Sequence, residues 1–104
     1  MSRGDIWMYR FGPPDKRRPV LVLSRQRAID HLHTVTVGPI TSAIRGLPSE
    51  VEVGVHDGLK AESVVNLDHV MTVEKSELRL YVGHLDEKRM RAVCTALEIA
   101  LGCA

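Results

Sequence analysis

Aromatic residues are scarce: one Trp, two Tyr and one Phe among 104 residues. A ligand groove of stacked rings is hard to build from four aromatics when three of them, Trp7, Tyr9 and Phe11, fall in one short stretch. Cysteine is nearly absent as well. Cys94 and Cys103 are nine positions apart, and a helix through both would hold them about 13 Å apart, far beyond disulfide reach. They form neither a disulfide framework nor a metal pair, and fit the reduced thiols of a cytoplasmic protein. No apolar run approaches the roughly 18 residues of a bilayer span. The opening MSRGDIW lacks the apolar stretch of a signal peptide, so neither membrane insertion nor secretion is expected. There is no glycine-rich phosphate loop, no serine nucleophile elbow, and no His beside either Cys. His31 and His33 alternate without a carboxylate or thiol at a metal-ligand spacing. Neither a metal nor an organic cofactor is therefore expected.

Apolar residues at 44% and charged residues at 26% place the chain among globular proteins. Its length suits one domain over residues 1–104. The net charge of +1 hides an asymmetry. Residues 1–45 hold eight Lys/Arg against three Asp/Glu, or +5; residues 46–87 hold three against nine, or −6; residues 88–104 add +2. A molecule of this kind can present a positive face to an anion while another face stays acidic, unless the fold interleaves the segments and cancels the field.

Up to about residue 82 the chain reads as short strands punctuated by turn residues. Residues 5–11 (DIWMYRF) are dense in strand formers and run into Gly12-Pro13-Pro14. Alternation puts Trp7, Tyr9 and Phe11 on one face and Ile6 and Met8 on the other, which suits a core or a subunit interface better than base stacking. Residues 19–24 (PVLVLS) form a continuous apolar run, the pattern of a central strand covered on both sides. Residues 34–40 (TVTVGPI) make a third strand, bent or bulged at Gly38-Pro39. Residues 50–55 (EVEVGV) alternate, with Glu50 and Glu52 expected in water; 63–67 and 70–73 are two further strands separated at Asp68-His69. Residues 75–80 suggest a helical turn, and 81–85 a last short strand with His84 in a structural role.

The C-terminal stretch changes period. Asp86 is placed to cap a helix, with Glu87 favourable in its first turn. Met90, Val93, Cys94, Leu97 and Leu101 recur at helical spacing, Ile99 lies opposite, and Gly102 ends the run. The expected architecture is mostly β: a small, strongly curved sheet or barrel closed by one C-terminal α-helix.

Two short segments could carry chemistry. Lys16-Arg17-Arg18-Pro19 enters the central strand, and Pro39-Ile40-Thr41-Ser42 leaves the third. Strand ends are where loops gather and functional groups are exposed. The planar donor fork of Arg18 suits a phosphodiester, and Thr41 and Ser42 offer hydroxyl donors. Fixed phosphate contacts with a positive rim are what a nucleic-acid backbone requires. Arg45 extends the basic track beyond Ser42.

The order of the pieces is more specific than any one of them. RGDIW, RRPVLVLS, VGPITS, SVVNLDHVMTV and YVGHLDEKRMRAV…ALEIALG follow one another over residues 3–102. This ordered set resembles the MazF/PemK family of bacterial toxins, the endoribonucleases of type II toxin–antitoxin pairs. The resemblance implies an SH3-like barrel of the CcdB/MazF type, a cytoplasmic homodimer, and a cognate MazE-like antitoxin whose C-terminal segment covers the RNA groove. Position by position, the family's catalytic arginine falls on Arg18 and its hydroxyl residue on Thr41. The resemblance also places Ser63, Asn66, Asp68 and His69 by the same groove, where Lys16, Arg17, Ser42 and Arg45 would help hold RNA. The loop after the first strand departs from the family, being only Gly12-Pro13-Pro14-Asp15-Lys16-Arg17. The general base stays unassigned among Asp68, His69 and Asp15.

The implied reaction is metal-independent, sequence-selective cleavage of single-stranded RNA. The 2′-hydroxyl attacks the adjacent phosphorus, leaving a 2′,3′-cyclic phosphate and a free 5′-hydroxyl. A competing reading is a toxin of the CcdB kind, which shares the barrel and poisons DNA gyrase without catalysis. A phosphate-clamping pair at adjacent strand ends is a feature that a pure binder does not need. A plain SH3-like peptide-binding module is a third reading, disfavoured by the scarcity of aromatics.

Overall fold

Val20, Leu21, Val22 and Leu23 are all buried, as a strand with a core on each side requires. The computed structural model describes residues 1–13 and 16–103. Its elements are β1 (Asp5–Arg10), β2 (Arg17–Val22), α1 (Gln26–His31), β3 (Thr34–Thr41), β4 (Glu50–Val53), β5 (Ser63–Asn66), β6 (Met71–Glu74), β7 (Leu80–His84) and α2 (Glu87–Leu101). The strands are antiparallel in the order β4-β5-β3-β2-β1-β7, and β6 pairs with β3. The strand β3 is the hub. Residues 34–37 pair with β6, 37–39 with β2, and Ile40 and Thr41 with β5. One strand shared in this way bends the sheet into a partial barrel, so the mostly β architecture with a C-terminal helix is as expected.

Alternation along β2 feeds two cores. Leu21 and Leu23 pack with Ile6, Ile40, Val65, Leu67, Met90 and Val93 under α2. Val20 and Val22 pack with Ile29, Val35, Val37, Val73 and Leu78 on the other face. Trp7, Tyr9 and Phe11 lie partly buried against this second cluster. Tyr9 and Phe11 meet edge to face at 4.9 Å, and Trp7 meets Tyr81 of β7 at 5.6 Å. Each fully buried Val, Leu or Ile contributes roughly 1.5–3 kcal/mol, so these two layers supply most of the driving force.

The helix α2 is capped as the sequence suggests. Asp86 accepts a hydrogen bond from the Arg89 amide at 2.8 Å, and Gly102 adopts the left-handed conformation at φ 73°. Its buried face is rotated from the expected one: Met90, Val93 and Ala96 are buried, Leu97 and Ala100 pack beside them, and Leu101 is 61% exposed. The small Ala96 and Ala100 let the helix lie close to the sheet, and the stripe follows them. The short α1 has no periodic signature. It is held by burial of Ala28 and Ile29 and by Lys75 Nζ donating to the Ile29 carbonyl. A 3₁₀ turn at Lys75–Glu77 and another at Leu67–His69 occupy the two places expected to break the strand pattern.

Glu50 departs from its expected solvent position. Its Oε1 accepts from the amides of Arg45 and Leu47 at 3.1 and 3.2 Å, closing the turn before β4. Its Oε2 is buried and has no hydrogen-bond partner among the described residues. Both thiols are unpaired with one another, and Cys94 Sγ accepts from Arg3 Nη2 at 3.1 Å. Among the described residues, no helix is long and apolar enough to cross a membrane.

Candidate functional site

The ends of β2 and β3 open onto a groove of about 680 Å³. Arg17, Arg18 and Pro19 line it from β2, and Ile40, Thr41, Ser42 and Ala43 from the end of β3. Residues 58–61 and Ser63 form the opposite rim, over a floor of Met8, Leu80 and Val82. The described lining carries Arg17, Arg18 and Lys60 and no acidic side chain. Its field therefore favours an anion.

Pairing of β2 with β3 brings Arg18 and Thr41 to this groove. The β2–β3 ladder pairs Val22 with Val37, Leu21 with Gly38 and Val20 with Pro39. The ladder stops two residues short of Arg18 and Thr41, which lie just beyond it on β2 and β3. Both residues lie in the lining of the groove. Thr41 Oγ1 accepts a hydrogen bond from the Ala43 amide at 3.1 Å, which fixes its rotamer and leaves the hydroxyl proton free to donate. A guanidinium and a hydroxyl donor thus line one cleft, a pairing of donors that suits the oxygens of a phosphate.

The rim at 58–61 is placed by a backbone contact. Gly58 has φ 93°, and a Cβ there would sit 2.3 Å from the Val82 carbonyl oxygen of β7. Only glycine fits both conditions. The turn before it is clamped by Asp57, whose Oδ2 accepts from the Gly54 amide at 2.9 Å and whose Oδ1 pairs with Arg89 of α2. Lys60, exposed on this rim, was not legible as a site residue because it lies in the acidic middle of the chain.

The residues singled out from sequence fall into two groups. Arg17, Arg18, Thr41, Ser42 and Ser63 come together around the groove. Ser63 is buried and donates to the Ala61 carbonyl at 3.1 Å, so it also ties the rim to β5. Lys16 is exposed just before β2 and Arg45 is exposed beyond Ser42, both outside the lining. Asn66, Asp68 and His69 lie at the other end of β5, and none lines the groove. There Ser49 donates to Asp68 Oδ2 at 2.6 Å, Asn66 Oδ1 accepts from the Asp68 amide at 3.0 Å, and Asn66 Nδ2 lies 3.1 Å from His69 Nδ1. Asp15 lies outside the described residues. Among the described residues, no three His, Cys, Asp or Glu side chains gather in a way that could hold a metal ion.

His84 serves the fold. Its Nδ1 is 2.9 Å from Asp5 Oδ1, and Asp5 Oδ2 accepts from the Ser2 amide and from Trp7 Nε1. Burial alone would raise the Asp5 carboxyl, but the hydrogen bonds from Ser2, His84 and Trp7 outweigh it and hold the group below its usual value.

Comparison with known proteins identifies the family. Residues 2–101 match a family model described as a PemK-like, MazF-like toxin of type II toxin-antitoxin system. The probable endoribonuclease MazF5 of Mycobacterium tuberculosis is 46% identical over 105 residues, covering 99% of this chain and 94% of that protein. The solved structure of Mycobacterium tuberculosis toxin MazF-mt6 superposes with a TM-score of 0.87 at 36% identity, covering 96% of this chain and 98% of that one. A mycobacterial endoribonuclease solved in complex with its cognate antitoxin superposes with a TM-score of 0.87 at 29% identity, over 100% of this chain and 97% of that one.

Proposed function

Because this chain belongs to the PemK-like, MazF-like toxin family, we propose that it is an endoribonuclease toxin cutting single-stranded RNA at the groove between β2 and β3. The observation that carries this reading is the presence of Arg18 and Thr41 in the lining of one cleft, which holds no acidic side chain among the described residues. The relatives named as endoribonucleases favour RNA cleavage over gyrase poisoning.

In the proposed reaction the RNA 2′-oxygen attacks the neighbouring phosphorus and the 5′-oxygen departs. The products are a 2′,3′-cyclic phosphate and a 5′-hydroxyl. Negative charge grows on the nonbridging oxygens as the phosphorane forms. A guanidinium already in place stabilises that charge more than it stabilises the ground state, which is the role assigned to Arg18. Arg is too basic to be an effective proton donor, so its contribution is electrostatic. Thr41 donates to a nonbridging oxygen and helps hold the in-line geometry. Arg17 and Ser42 hold the flanking backbone inside the groove, with Lys16 and Arg45 beyond its ends. Asn66, Asp68 and His69 meet only RNA that runs on past β5. Need for a 2′-hydroxyl accounts for choosing RNA over DNA, and reading unpaired bases accounts for single-stranded substrate.

The same reading includes a homodimer in the cytoplasm, neutralised by a cognate antitoxin; the mycobacterial endoribonuclease was solved in complex with its own. The test is direct. Purified protein is incubated with a long single-stranded RNA in EDTA, and the ends are mapped. Cyclic-phosphate termini at a recurring short motif are expected. Intact RNA, or cleavage that survives unchanged in the Arg18→Ala protein, would overturn the assignment.

A further inference from the structure

A second cavity, of about 260 Å³, opens beside the groove and is lined by Met8, Arg10, Arg17, Glu77, Arg79 and Leu80. Met8, Arg17 and Leu80 line both cavities, so the two are adjacent. It is assembled by register: Arg10 pairs with Arg17 across β1–β2, and Met8 pairs with Leu80 across β1–β7. Arg79 is anchored through Nε, which lies 3.4 Å from the Ser76 carbonyl. That contact leaves its two terminal nitrogens available to a ligand.

Three arginines against one glutamate leave this small cavity an excess of positive charge, which costs repulsion in the free protein. It becomes favourable when a polyanion enters. The floor is apolar and open, with Leu80 54% exposed beside Met8, so a planar base can rest where the phosphate is held. Among the described residues Glu77 is the single acidic lining group, and a carboxylate accepts hydrogen bonds from an exocyclic amino group of a base.

We propose that the Arg10–Arg17–Arg79 cavity is a second nucleotide subsite, which holds a phosphodiester of the RNA strand away from the cleaved linkage while Glu77 accepts from the amino group of its base. This rests on the nuclease reading above and deepens it. From β3 to β7 the sheet spans three strand spacings, roughly 14 Å. The ligand is therefore an RNA segment reaching across the sheet and not a single nucleotide. The subsite spends its binding energy away from the reacting atoms. It serves recognition of a longer sequence, and it is felt in KM more than in kcat.

The experiment uses two oligoribonucleotides carrying the mapped cut site: one long, one trimmed to a single nucleotide on either side of the cleaved linkage. Steady-state kinetics are measured for the wild type, Arg79→Ala, Arg10→Ala, Arg79→Lys and Glu77→Gln across a salt series. Each Ala variant is expected to raise KM for the long RNA about tenfold more than for the short one. Each should lower the slope of log KM against log salt by about 0.7, the increment for one phosphate contact on a single strand. Arg79→Lys keeps the charge and should keep the slope. Glu77→Gln should shift the preferred base at the flanking position.

Several results would overturn the subsite. These are equal losses on both substrates, an unchanged salt slope, a fall confined to kcat, or a loss of antitoxin affinity with RNA kinetics intact. A wild type that cuts and an Arg79→Ala protein with unaltered KM would remove the subsite alone. A wild type that cuts neither oligonucleotide would remove the nuclease reading itself. Thermal unfolding of each variant separates these outcomes from misfolding.

Discussion

Arg18 and Thr41 line one groove, each two residues beyond the Val20–Pro39 pair that ends the β2–β3 ladder. Both residues sit on strands, while the Ala43 amide orients the Thr41 hydroxyl and residues 58–61 complete the groove.

Substituting the hydroxyl separates chemistry from packing. Thr41→Ser retains the donor and should keep cleavage within about tenfold of wild type, whereas Thr41→Val should cost roughly 10²-fold in kcat, as loss of one oxyanion donor does. Both variants should unfold close to the wild-type temperature, checked by circular dichroism. Equal activities for Ser and Val would remove Thr41 from the reaction.

A substrate with a single 2′-deoxy sugar at the cleaved nucleotide should resist cutting yet still compete for the groove. Gel-based cleavage and a competition assay read the two effects separately. Cutting of the deoxy-substituted strand would contradict attack by the 2′-oxygen.

The Gly58 turn ties the fold to the groove. Gly58→Ala forces a Cβ into the Val82 carbonyl, 2.3 Å away, at a φ of 93°. The expected cost is roughly 2 kcal/mol, or about 10 °C in Tm for a domain of this size. Because residues 58–61 line the groove, cleavage should fall as well. A Tm equal to wild type would contradict the strain assigned to this contact.

Asp5 gives the stability a pH dependence of known sign. Its carboxyl is held below its usual value, so the stabilisation is fully present above the unfolded pKa of about 4 and is lost as pH falls through the lower folded value. At pH 7, Asp5→Asn should lower unfolding free energy by about 1–2 kcal/mol, since it weakens the hydrogen bonds from Ser2, Trp7 and His84. The difference between variant and wild type should shrink progressively below about pH 4 in denaturant titrations. A constant difference across that range would exclude Asp5 as its source.

Much of this was legible in the sequence where one physical signal dominates. The run at 19–24 reads as a doubly covered strand because residues 19–23 are all apolar, and α2 reads from Asp86 to Gly102 because one cap needs a side-chain acceptor and the other a left-handed backbone. The short α1 was not legible: six residues show too little of a helical period, and its stability comes from burying Ile29. Leu101 misled because periodicity gives a stripe without saying where the sheet ends. At the site, Arg18 and Thr41 were found through family resemblance and strand ends. Arg10, Lys60 and Arg79 depend on which strands become neighbours, and that pairing is invisible in composition. Asn66, Asp68 and His69 adjoin Ser63 in sequence, yet the length of β5 carries them out of the groove.

The most direct test of the central claim is a double-mutant cycle on kcat/KM for a mapped RNA substrate, using Arg18→Ala, Thr41→Val and the double variant. If both side chains stabilise one phosphorane, each single change should cost about 10²- to 10³-fold. The double change should then fall short of the product of the two losses by at least about tenfold. Losses that multiply in full would show the guanidinium and the hydroxyl acting independently, and would contradict their convergence on a single linkage.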